Sequence, residues 1–75
     1  MDPDSGEYVY EQIADVLRER IASGEYPAGR VMPSARTLSQ ELGVSIGSIK
    51  RAVEILRAEG FVETRIGRGI VVKNP

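Results

Sequence analysis

The sequence contains no cysteine and no histidine. Disulfide scaffolds and thiol redox chemistry are therefore excluded, together with Cys/His zinc fingers and imidazole-based catalysis. Long apolar runs are missing too; the longest reach three residues, as at Ile70-Val71-Val72. A membrane-spanning helix needs about 20 apolar residues, and a secretory signal a core of roughly 7–15. No membrane partner is expected, and with no export signal the cytoplasm is the expected location. A dominant charge of one sign is also absent, since 10 Lys and Arg stand against 11 Asp and Glu for a net charge of −1.

What is present is an ordinary globular composition, with 75 residues, 41% hydrophobic and 28% charged. That length holds one small domain. The near-neutral total hides an uneven distribution. Residues 1–29 carry seven acids and two bases, whereas residues 30–75 carry eight bases and four acids. A dipolar domain of this kind can turn a basic face to phosphate while its net charge stays near zero.

Residues 1–8 are mostly polar and read as a flexible N-terminus. A helix is expected from about Val9 to Ala22. Ile13, Leu17 and Ile21 recur at helical spacing, with Val9, Tyr10, Ala14 and Val16 filling the same stripe. Gly24 can end it in the left-handed conformation, and Tyr26-Pro27-Ala28-Gly29 follows as a turn. Arg30-Val31-Met32 is a short extended stretch, because Pro33 biases Met32 away from helix. Ser34 then caps a second helix, about Ala35 to Leu42, which Gly43 stops. Ser45 caps a third, about Ile46 to Glu59, ended by Gly60. Ile49, Ala52, Val53 and Leu56 form its inward stripe, and Gly47, Lys50, Arg51, Glu54 and Arg57 lie opposite.

Two helices separated only by Gly43-Val44-Ser45 form a helix-turn-helix. Beyond Gly60 the pattern changes to β-branched and aromatic residues, Phe61 to Ile66, then a Gly67-Arg68-Gly69 turn and a return strand from Ile70 to Lys73. The expected fold is therefore mainly α with a small β-hairpin, a winged helix-turn-helix of three helices plus wing, over residues 9–73.

These residues resemble the GntR-type bacterial transcription regulators. The resemblance is carried by Tyr10-Glu11-Gln12-Ile13-Ala14, Leu17-Arg18 and Ile21-Ala22-Ser23-Gly24-Glu25, then Pro27 and Gly29. It continues through Pro33-Ser34, Arg36, Leu38, Leu42-Gly43-Val44-Ser45, Ala52-Val53, Leu56, Glu59-Gly60 and Gly67-Arg68-Gly69. It covers about residues 9–72. It implies sequence-specific binding of double-stranded operator DNA, an inverted repeat, by a homodimer formed on the DNA. The third helix, about 46–59, enters the major groove, and the wing, about 65–69, approaches the neighbouring minor groove. Most members carry a C-terminal domain that binds a small-molecule effector and dimerises. No effector domain is expected within these 75 residues, which read as the N-terminal part of such a regulator.

The resemblance also implies site residues. Arg36 matches a DNA-contacting Arg, and Ser34 precedes it. The family commonly reads Val-Ser-Arg-x-Thr-Val-Arg where this chain has Val44-Ser45-Ile46-Gly47-Ser48-Ile49-Lys50. Ile46 thus replaces an Arg that usually reaches DNA, Lys50 replaces a second, and Ser48 keeps the hydroxyl. Arg can grip guanine bidentately, whereas Ile can only pack, for example on a thymine methyl. In the wing, Arg65, Gly67, Arg68 and Gly69 match, glycine allowing close approach and Arg being favoured by the groove's negative potential. Arg51, Arg57 and Lys73 are plausible phosphate contacts that the resemblance does not cover. Each has a plainer reading as solvated surface charge, Ser34 and Ser45 as helix caps, and Ile46 as a staple to the core.

No enzyme is expected. Ser48 and Lys50 stand two apart and do not share a helical face. The acids form no metal-ligand cluster, and Gly67-x-Gly69 is a hairpin rather than a nucleotide loop. No cofactor or metal is implied. The rival reading is a winged helix used for protein contact with weakened DNA binding, which the loss of Arg at Ile46 favours.

Overall fold

The computed structural model describes residues 3–73, with side chains from Val9 to Lys73. Helix α1 spans Pro3–Ser23, α2 Ala35–Leu42 and α3 Ile46–Ala58, followed by strands β1 at Val62–Arg65 and β2 at Gly69–Val72. This is a winged helix-turn-helix. The second and third helices begin and end almost where the caps predict. Gly43 closes α2 with φ 70°, a left-handed conformation that glycine adopts without steric cost.

Helix α1 is longer than expected. It starts at Pro3, six residues before Val9, so the segment read as a flexible N-terminus is helical from its third residue. Proline suits the first helical position, where its missing N–H is an orphan in any case. Met1 and Asp2 lie outside the described residues.

The core joins all the elements. Ile13, Ala14 and Leu17 of α1 meet Leu38 of α2, Ile49, Ala52 and Leu56 of α3, and Val62 and Val72 of the hairpin. Tyr26 and Met32 from the connecting segment complete it. Val9, Tyr10 and Ile21 are only partly buried against this cluster. Val16 does not join the stripe and stands 38% exposed. It sits to one side of the Ile13–Leu17 line, bordering a shallow hollow with Val9, Gln12, Leu42 and Val44.

The hairpin is antiparallel, pairing Val62 with Val72 and Arg65 with Gly69. Its turn falls at residues 66–68, one position earlier than expected, because the Arg68 N–H bonds to the Arg65 carbonyl at 3.0 Å. Phe61 is not in the strand, since its N–H closes the end of α3 by bonding to the Leu56 carbonyl. The extended stretch before α2 lies along the free edge of β2. Val31 bridges Val71, and the Met32 N–H donates to the Ile70 carbonyl at 2.8 Å. The root of the wing is thereby joined to the segment that leads into α2.

Candidate nucleic-acid interface

Two serines fix where the helix-turn-helix begins its turns. The Ser34 hydroxyl accepts the Thr37 N–H at 3.1 Å and donates to the Thr37 hydroxyl oxygen. Ser45 repeats the arrangement with Ser48, again at 3.1 Å from the backbone N–H. In each pair the first hydroxyl proton is spent inside the cap. The proton of Thr37, like that of Ser48, has no acceptor among the described residues. Thr37 was not a candidate from sequence, although a hydroxyl three residues after a serine cap is a visible signal.

Helix α3 turns Ile49, Ala52 and Leu56 inward and leaves Gly47, Lys50, Arg51, Glu54 and Arg57 exposed, as the periodicity predicts. Ile46 opens the helix and is 41% exposed. It therefore presents much of its side chain outward rather than closing over the core. Gly47 has neither a positive φ nor crowding: a Cβ there would meet only the Ser45 Oγ, at 3.9 Å. Nothing in the fold requires glycine at this place.

The cations divide into two groups. Arg18 bonds Glu59 at 2.8 Å and also Asp15, tying α1 to the end of α3. Arg20 bonds Glu41 at 2.6 Å and the Tyr26 hydroxyl at 2.6 Å, tying α1 to α2 and the turn. Both guanidinium pKa values are raised, chiefly by the hydrogen bonds to Glu59 and Glu41 respectively. Arg57 is held by Glu54 and Arg65 by Glu63. The remaining six, Arg30, Arg36, Lys50, Arg51, Arg68 and Lys73, are exposed and have no carboxylate partner among the described residues.

Those six all belong to the basic part of the chain. Arg36 stands in the first turn of α2, Lys50 and Arg51 on the outer face of α3, and Arg68 in the hairpin turn. Arg51 lies 5.2 Å from the centre of the Tyr10 ring, a cation–π contact that steadies the side chain without neutralising it. Lys50, Arg57 and Thr64 line a groove of about 240 Å³ between the start of α2, α3 and the hairpin. Helix and wing are therefore neighbours. Arg65, Arg68 and Lys73 gather around a second hollow with Glu63. Arg65 reaches Glu63 because alternate residues of a strand share a face. The exposed acids of α1, Glu11, Asp15 and Glu19, occupy the other part of the dipole.

Among the described residues no group of three or more acids could hold a metal ion. No helix among them is long and apolar enough to cross a membrane.

A winged helix-turn-helix whose second helix and wing carry exposed cations with no carboxylate partner among the described residues has the architecture of transcription-regulator domains, and known proteins give its family. Residues 9–72 match the family described as "Bacterial regulatory proteins, gntR family". This chain belongs to that family. It is 42% identical over 67 residues to the Exu regulon transcriptional regulator of Escherichia coli K12, covering 88% of this chain and 26% of that protein. A GntR family transcriptional regulator from Listeria monocytogenes superposes with a TM-score of 0.83 at 30% identity, over 89% of this chain and 59% of that one. The AraR DNA-binding domain, in complex with operator ORR3, superposes with a TM-score of 0.79 at 26% identity, over 85% of this chain and 77% of that one. The chain spans less than a third of the length of the curated relatives it matches. The family is one of regulators rather than enzymes.

Proposed function

We propose that this domain binds double-stranded operator DNA sequence-specifically, with α3 in the major groove and the 65–69 hairpin at the adjoining minor groove. The observation that carries the reading is the set of exposed cations along α2, α3 and the wing that have no carboxylate partner among the described residues. Solvated side chains of this kind are available for phosphate, and neutralising phosphates is the main source of affinity in DNA binding. The operator complex of the AraR domain supports the same reading by structural likeness.

Roles follow from position. Arg36, Thr37 and Ser34 stand at the start of α2, where backbone N–H groups and the helix dipole favour an anion. Ser45, Ser48, Lys50 and Arg51 present hydroxyls and charge on the first turns of α3, and Gly47 lets the groove wall come close. Ile46 offers an apolar surface where an arginine would demand guanine, so a thymine methyl is its partner. Arg68 and the flanking Gly67 and Gly69 approach the minor groove, and Arg65 joins them once it leaves Glu63. Two copies binding as a homodimer would read an inverted repeat, because operator symmetry mirrors protein symmetry.

The test is fluorescence anisotropy on random and selected duplexes across a salt series. With ~4–5 phosphate contacts, log K falls against log[salt] with a slope of about −4. Arg36→Ala and Arg68→Ala each weaken binding and leave thermal unfolding unchanged. Selected sites carry A·T opposite Ile46. Binding that is absent for both this domain and a tandem-linked pair, or indifferent to salt, would overturn the proposal in favour of a protein-contact role.

A further inference from the structure

Ile66 is the most exposed large apolar side chain among the described residues, at 102% of its reference surface. It occupies the second position of the β-turn Arg65–Arg68, which the Arg68 N–H closes on the Arg65 carbonyl. Gly67, the third position, has φ 82°, the sign a type II turn demands. The turn thus requires glycine at residue 67 but makes no demand on residue 66, where a polar side chain would serve equally well. Neither packing nor backbone geometry accounts for an isoleucine at the apex.

Its surroundings point to a nucleic-acid partner. Arg65 and Arg68 flank it, and Arg68 has no carboxylate partner among the described residues. An apolar tip between two guanidinium groups suits a surface that is anionic at its rims and apolar within. The minor groove has that profile, with phosphates along both edges and sugar and base C–H groups on its walls and floor. Minor-groove proteins use apolar side chains in this way beside arginine.

Resting on the reading of the hairpin as a DNA-contacting wing, we propose that Ile66 is a specificity-determining residue that makes the wing reject guanine in the minor groove. The chemistry is a matter of one amino group. A·T pairs present only acceptors in the minor groove, whereas G·C adds the guanine N2 amino donor. An isoleucine pressed against the floor strips water from that donor and offers it no acceptor, and a buried unpaired donor is costly. Against A·T the same side chain meets no donor. The wing would then read A·T against G·C without a single hydrogen bond from its apex.

The experiment uses a duplex selected for tight binding, with the pairs under the wing replaced in turn by G·C and by inosine·C. Inosine lacks the minor-groove amino group but keeps guanine's major-groove edge. For the unaltered domain, G·C at one wing position weakens binding about 5- to 150-fold, the range for one unfavourable pair, and inosine·C restores it. Ile66→Ser, at a fully exposed site, keeps the same thermal unfolding and binds all three duplexes within about twofold of one another. Equal binding of G·C and inosine·C by the unaltered domain at every wing position would overturn the inference, as would a preference that survives in Ile66→Ser. Loss of DNA binding altogether would instead strike at the parent reading, and the two failures are separable because the selected duplex is bound in one case and not in the other.

Discussion

Gly47 illustrates how a residue can be explained by what its own fold does not need. It is helical, uncrowded and exposed, so alanine fits the space and suits the helix better. Gly47→Ala should raise stability by roughly 0.5 kcal/mol, less than the full mid-helix difference because the site lies in the first turn. The same change should weaken operator binding, because the proposed docking brings the groove wall up to this position. Chemical denaturation and anisotropy on one preparation check both signs, and unchanged affinity would leave Gly47 without a role at the interface. At this scale the sequence was informative about which residues face outward and poor about what engages them. Spacing places Lys50 and Arg51 on one face, but the Tyr10 ring that steadies Arg51 comes from another helix. The Arg65–Glu63 pair was within reach, since strand alternation puts the two on one side. Ile66 was passed over because a periodic reading assigns an apolar residue to a strand, and only the turn's register shows it at the apex.

At the scale of elements, caps and glycines were the most legible features. Ser34, Gly43 and Ser45 fix the boundaries of α2 and the start of α3 through local hydrogen bonds that involve no distant partner. Ser34→Ala and Ser45→Ala should each remove about 1 kcal/mol. In a domain of this size that corresponds to a fall in Tm of roughly 4–8 °C, measurable by circular dichroism. A smaller loss would mean that the core, rather than the caps, holds the helix-turn-helix in place. The start of α1 was less legible, because propensity and polarity pull apart there: Pro3 favours a helix beginning while the polar composition suggests a loose end. Val16 was misplaced for a related reason. An apolar stripe read from spacing is wider than the surface that the neighbouring helix covers, so residues on its margin stay exposed.

For the whole molecule, the charges describe a division of labour. Arg18 and Arg20 brace α1 against α3 and α2, while six exposed cations after residue 29 have no carboxylate partner among the described residues. The pKa values of Arg18 and Arg20 are raised by their glutamate partners, so that stabilisation is fully present below the ordinary arginine value and is lost only as pH rises through the raised ones. With no histidine in the chain, no side chain titrates by its ordinary value between pH 6 and 8. Operator affinity at fixed salt should therefore be flat across that window, and a step there would point to a group outside the described interface. The edge contact between Val31 and Val71 carries the last consequence. It joins the wing root to the strand that, through Pro33, becomes the cap of α2, so hairpin and helix-turn-helix hang from one short span of backbone. Such a domain behaves as a caliper with a fixed gap. One base pair inserted between the bases facing α3 and those facing the wing displaces the latter by about 3.4 Å and turns them by roughly 35°. On that lengthened duplex the wing should lose its purchase, and Arg68→Ala should then bind no more weakly than the unaltered domain.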